Sequence, residues 1–186
     1  MPYKLENWRE YLPLICLSGL LYSLSYIASL QLNTWFEFSH ATSWFYLPSG
    51  VRLLLVLIML ESGALGIVLG TLMIDYLVHD SKDHWYNLVT ALVAGASAYL
   101  SLKWSQVALR LDQTLARLKQ IHLLQVCVIF SIVSPLMHQL WYMYYGATTH
   151  FWHSLAVMAI GDLGGGIIIL GALFWINRLF QVFRMP

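Results

Sequence analysis

The sequence predicts an all-α polytopic membrane protein, a bundle of about six transmembrane helices with both termini in the cytoplasm. Three observations predict it. Charged residues are only 10% of the 186 residues, against roughly 25% in soluble domains. Hydrophobic residues are 59% and mean hydropathy is +0.66, and the apolar residues gather in runs long enough to cross a bilayer. Finally, Lys4, Arg9, Lys103, Arg110, Arg117, Lys119, Arg178 and Arg184 fall on one side when the chain is threaded through six spans. Only Lys82 falls on the other, and Arg52 lies within a span. Such a bias is a positive-inside signal.

Residues 1–10 form a short lead-in with Trp8 as an interfacial anchor. The first span is expected over 11–32, with Pro13 tolerated near its start because first-turn amides lack helical partners. Tyr22, Ser23, Ser25 and Tyr26 interrupt its apolar character and no small-residue cleavage site follows, so it reads as a retained span. Asn33 to Ser43 is an aromatic-rich loop carrying Glu37 and His40. The second and third spans, 44–60 and 64–79, form a hairpin about Glu61-Ser62-Gly63.

A polar loop precedes the fourth span, 86–108. The charged connector RLDQTLARLKQIH then places Leu111, Leu115, Leu118 and Ile121 on one helical face. The fifth span, 123–145, contains Pro135, a candidate kink, and the sixth covers 154–176. Residues 1–186 thus make one transmembrane domain. Cys16 and Cys127 each sit in an apolar run and are expected as buried thiols, without disulfide or zinc spacing. A net charge of +1 and the lack of a basic stripe give no case for nucleic acid as a partner.

Small residues recur at helical spacing. Gly63, Gly66 and Gly70, then Ala91, Gly95 and Ala98, then Gly161 and Gly165 are expected to let helix backbones approach closely in lipid. The glycine edge of the third span is expected to meet Gly161 to Gly166. The consecutive Gly164, Gly165 and Gly166 exceed what packing requires and point to a local helix break.

Among the ionisable residues inside spans, Arg52, Asp75, His138 and Asp162 are assigned to the outer half of the membrane. Asp162 lies roughly 14 Å into its span at 1.5 Å per residue. An unpaired charge there costs about 2.5–3.5 kcal/mol or more, so partners are expected. Arg52 pairs with Asp162 or Asp75, with His138 as a hydrogen-bonding neighbour. The arrangement reads either as a structural ion pair or as an outward-facing polar pocket, rimmed by Trp44 and Trp141, for a small ligand or a partner segment. His79, His84, His150 and His153 are weaker candidates for zinc or copper. Asp75 and His79 are spaced i, i+4, and His150 and His153 i, i+3, but no HExxH or paired-cysteine motif accompanies them. No catalytic motif is present and no cofactor is expected.

Two stretches carry a family resemblance. LPSGVRLLLVLIMLESGALGIVLGTL (47–72) and AIGDLGGGIIILGALF (159–174) resemble the proline–small–glycine opening and the Gly-Asp-x-x-Gly segment of the MASE1 integral membrane sensory domains. The resemblance implies that Pro48, Gly50, Gly161, Asp162 and Gly165 belong to a polar core. It also implies a sensory role, usually ahead of a cytoplasmic histidine kinase or diguanylate cyclase. The 186 residues are expected to be a stand-alone version without an output domain, acting through a membrane partner of the inner membrane. The competing expectation is a solute-binding transporter component, similar in outline to the substrate-binding subunits of energy-coupling vitamin transporters.

Overall fold

The structure, a computed structural model, describes the backbone of residues 8–39, 42–43, 46–78, 83–112 and 119–183, and side chains over 9–30, 46–78, 83–112 and 119–175. Five helices follow one another: α1 (Trp8–Phe36), α2 (Leu47–Leu77), α3 (His84–Ala108), α4 (Gln120–Tyr145) and α5 (Phe151–Phe183). Between α1 and α2 a small antiparallel ribbon pairs β1 (Glu37–Ser39) with β2 (Thr42–Ser43) and packs on α5. The aromatic-rich loop expected there therefore contains a short hairpin.

Among the described residues five helices stand where six were expected, because the two arms of the expected hairpin join as a single kinked element. The spans expected over 44–60 and 64–79 are one helical run, α2, bent where Leu60 adopts non-helical φ 52° and ψ −120°. A single residue makes the turn, and helical hydrogen bonding resumes at once, so no loop separates the arms. The bend is sharp. Gly63 abuts the Leu55 carbonyl, although eight residues of straight helix would separate them by about 12 Å. Tyr22 likewise touches both ends of the run. Its hydroxyl lies 3.4 Å from that of Tyr46 while its ring edge abuts Gly70, positions about 36 Å apart in a straight helix.

Local chemistry sets the other ends. Pro48 occupies the first turn of α2, where a missing N–H is harmless. The Asp83 carboxylate accepts from the Tyr86 amide at 2.9 Å and caps α3. Gly146, at φ 81°, closes α4 in the left-handed conformation. α4 runs unbroken through Pro135, and α5 runs unbroken through Gly164 to Gly166, so the expected break in the last span does not occur.

Successive helices pack antiparallel from the second arm of α2 onward. Glu61 meets Tyr99 and Tyr76 meets His84 between α2 and α3. Trp141 meets Thr90 between α4 and α3, and Gln139 meets Met158 between α4 and α5. α1 runs alongside the second arm of α2, with Ser18 donating to the Gly63 carbonyl at 3.0 Å and Ser23 to that of Gly70 at 3.3 Å.

Glycines set these approaches. A methyl on Gly70 would lie 2.7 Å from the Gly19 carbonyl, and one on Gly95 would lie 2.6 Å from that of Ala64. The partners differ from those expected. Gly66 and Gly70 meet α1, not the glycines of α5, and Gly165 meets Tyr46, Ser49 and Gly50 instead. Gly165 packs on α2 while Gly166 packs on Cys127 of α4, so two of the three consecutive glycines serve close contacts on different neighbours.

The distribution of polarity is inverted relative to a soluble protein. Ile58, Leu77 and Val107 are among many large apolar side chains on the outside, at 67%, 76% and 80% exposure. Ser18, Ser49, Arg52, Asn87, Ser97, Ser101, Ser105, Ser134, His138, Gln139 and Asp162 are buried inside. An apolar exterior of this extent requires an apolar solvent, and small hydroxylated residues at helix contacts are typical of bundles in lipid. Four helices (α1, α2, α4 and α5) are long and apolar enough to cross a membrane. α3 is long enough, but its serines and Asn87 leave it less apolar. The chain is a multi-pass membrane protein in a lipid bilayer. Cys127 is buried as expected, whereas Cys16 lies on the outer surface of α1.

Candidate functional site

The buried charges meet where the first arm of α2 packs against α4 and α5. Pro48 fixes the start of α2, and the small Ser49-Gly50 pair that follows allows α5 to lie against it. Gly50 abuts the Gly165 carbonyl, and Ser49 donates to the Tyr46 carbonyl at 2.6 Å and the Asp162 carbonyl at 3.2 Å. This close approach carries Arg52, one turn further along α2, to Asp162.

Arg52 Nη2 lies 3.5 Å from Asp162 Oδ2, and the two side chains are 2% and 0% exposed. The same nitrogen donates to Ser134 Oγ at 3.2 Å. The guanidinium carbon lies 5.8 Å from the Tyr46 ring and 5.5 Å from the Phe130 ring, within cation–π range. One carboxylate, one hydroxyl and two ring faces therefore surround the cation, which a delocalised and weakly hydrated guanidinium accepts better than an ammonium would. The pairing is through a single nitrogen. Arg52 Nε and Asp162 Oδ1 have no hydrogen-bond partner among the described residues.

His138 completes the group. Its Nδ1 lies 2.8 Å from the Ser134 carbonyl. Because a carbonyl only accepts, Nδ1 carries the proton and a neutral ring leaves Nε2 as an acceptor. On α4, Phe130, Ser134, His138 and Tyr142 recur every four residues and form one inward stripe, all of them buried.

Of the sequence candidates, Arg52, Asp162 and His138 come together, with Gly165 supporting their approach and Gly161 buried beside Asp162. Asp75 does not join them, so the open choice of partner for Arg52 falls to Asp162. Asp75 lies near Tyr86 and Tyr142; Trp141 donates to Thr90 at 2.9 Å and stacks on Tyr86. Trp44 and His79 lie outside the described residues, as does the middle of the charged connector, 113–118. Among the other histidines, His84 bonds the Tyr76 hydroxyl at 3.0 Å. No three His, Cys, Asp or Glu side chains converge as a metal site among the described residues.

Tyr46, Ser49, Phe130 and Ser134 were not singled out as site residues from sequence. The four-residue recurrence on α4 is the signal that finds two of them. Ser49 is visible only as part of a helix-start turn, and Tyr46 carries no sequence signal that separates it from the abundant rim aromatics. Comparison of the chain with protein-family models, with curated proteins and with solved structures finds no match.

Proposed function

We propose that this protein is a sensory or interaction subunit of the inner membrane, crossing it with both termini in the cytoplasm and acting through a membrane protein partner. The observation that carries the proposal is the sealing of Arg52 and Asp162, at 2% and 0% exposure. Charges committed to each other inside the bundle join α2, α4 and α5 rather than offering an open surface to a solute. A partner that binds the paired and the parted joint with unequal affinity would shift their populations. The resemblance of 47–72 and 159–174 to MASE1 sensory domains supports the same reading. So does the placement of basic residues, which favours a cytoplasmic face for both termini and for the Leu60 bend.

A second reading, a solute-binding component of a transporter, is favoured by one observation: Arg52 Nε and Asp162 Oδ1 retain hydrogen-bonding capacity. Affinity purification in mild detergent separates the two. A stoichiometric kinase, cyclase or other signalling membrane protein supports the first, and a co-purifying ATPase module supports the second. Purification of the chain alone, with the same result after crosslinking in intact membranes, contradicts a partner-dependent role.

A further inference from the structure

The Arg52–Asp162 contact leaves hydrogen-bonding capacity unused on both sides. Arg52 donates to Ser134 and Asp162 through Nη2. Its Nε–H has no acceptor, and Asp162 Oδ1 has no donor, among the described residues. Both atoms belong to buried side chains, 2% and 0% exposed. Each is bonded through one carbon to the atom that makes the 3.5 Å contact, which bounds the separation of Nε and Oδ1 at about 8 Å. A donor and an acceptor without partners thus lie within the span of one small molecule. Buried polar groups are seldom left so, and a bound molecule is a common remedy.

The surroundings restrict what that molecule is. The guanidinium is held by Ser134 and lies within cation–π range of Tyr46 and Phe130, so turning Nε towards Oδ1 would disturb all three contacts. Ser49 directs its single hydroxyl proton to the Tyr46 and Asp162 carbonyls, and the His138 Nδ1 proton goes to the Ser134 carbonyl. Protonating Oδ1 turns an unmet acceptor into an unmet donor and leaves Nε as it was. A cation suits Oδ1 but meets the guanidinium; an anion suits Nε but meets the carboxylate. Arg52, Asp162 and a neutral His138 already sum to zero charge. We propose that the joint binds a small neutral molecule that accepts from Arg52 Nε and donates to Asp162 Oδ1, either water or the hydroxyl or amide group of a solute. The inference uses the same two atoms as the solute reading, yet a bound water satisfies it without any transport, so the two fail separately.

The test uses the full wild-type chain in lipid bilayers, with isotope-labelled arginine side-chain nitrogens and aspartate carboxyl carbons assigned by through-bond correlation. Solid-state magnetic resonance follows polarisation that starts on water protons. With water as the occupant, short mixing carries it to both Arg52 Nε–H and the Asp162 carboxyl carbon. Each signal exceeds by several-fold that at the backbone amides of Ile67 and Leu102, which are buried at 0% exposure. With a solute as the occupant, water reaches neither label. Isotope-labelled formamide or methanol then shows contacts to both and raises the melting temperature saturably. The proposal is overturned if neither water nor either probe reaches both labels, or if transfer to them is no stronger than to Ile67 and Leu102.

Discussion

Neutralising Asp162 is the most informative single perturbation. Asp162→Asn keeps the volume and removes the charge, leaving Arg52 buried beside Ser134, Tyr46 and Phe130. At the observed separation of 3.5 Å, the attraction between unit charges is about 5 kcal/mol at an effective dielectric of 20. Much of that is offset by the desolvation of both ions, but removing one partner strands the other, and such losses run to about 3–5 kcal/mol. Arg52→Gln should cost a similar amount by stranding Asp162. The double variant strands neither charge, so its loss should fall short of the sum of the two single losses by about 2 kcal/mol or more. Reversible unfolding in mixed micelles, titrated with a denaturing detergent, measures all four corners of the cycle. Additivity within about 0.5 kcal/mol would refute the reasoning, because it would mean that the charges do not sense each other.

Three further substitutions test the packing. Gly165→Ala drives a methyl into the Tyr46 carbonyl and Ser49 Oγ and should lower stability by about 1–3 kcal/mol. Gly171→Ala, on the same helix with nothing within 4 Å, should be neutral or stabilise by up to about 1 kcal/mol, so thermal melts of the pair should move apart. Leu60→Gly should raise stability by about 1 kcal/mol or more, because φ 52° with ψ −120° strains any residue bearing a Cβ and the side chain is already 38% exposed; a lower melting temperature would contradict the bend.

How much of this was legible in sequence depended on the range of the interaction. Apolar runs and the charge deficit are sums over many residues, and they located every helix to within a few residues, although α5 extends to Phe183 where the span was expected to end near 176. The α2 bend was misplaced for a local reason. Glu61-Ser62-Gly63 has the composition of a turn, yet all three residues are helical, and the break falls on Leu60, a residue type that does not advertise positive φ. Gly63 serves a different purpose there, admitting the Leu55 carbonyl as the chain returns on itself.

The principal charges were identifiable because a charge in an apolar span stands out, but whether Arg52 pairs with Asp162 or Asp75 was left open. Arg52 and Asp162 are 110 residues apart, and what joins them is the approach of Ser49-Gly50 to Gly165, a contact between two glycine-containing segments among several. Glycine spacing marked surfaces for close packing without marking partners, which is why Gly66 and Gly70 were matched to the wrong helix. The same limit applied to Asp75, equally conspicuous in the sequence, whose position among the α3 and α4 aromatics depends on how α2 bends.

The most direct test of the central claim measures the Arg52–Asp162 contact in the membrane. Solid-state magnetic resonance on protein in lipid, with isotope-labelled arginine side-chain nitrogens and aspartate carboxyl carbons, reads the dipolar coupling between them. An N···O separation of 3.5 Å places the carboxyl carbon within about 5 Å of the guanidinium nitrogen. The account predicts a coupling of that strength in the wild type and its loss in Asp162→Asn. A wild-type spectrum without the coupling, or one in which Asp162→Asn leaves it intact while Asp75→Asn removes it, would contradict the account.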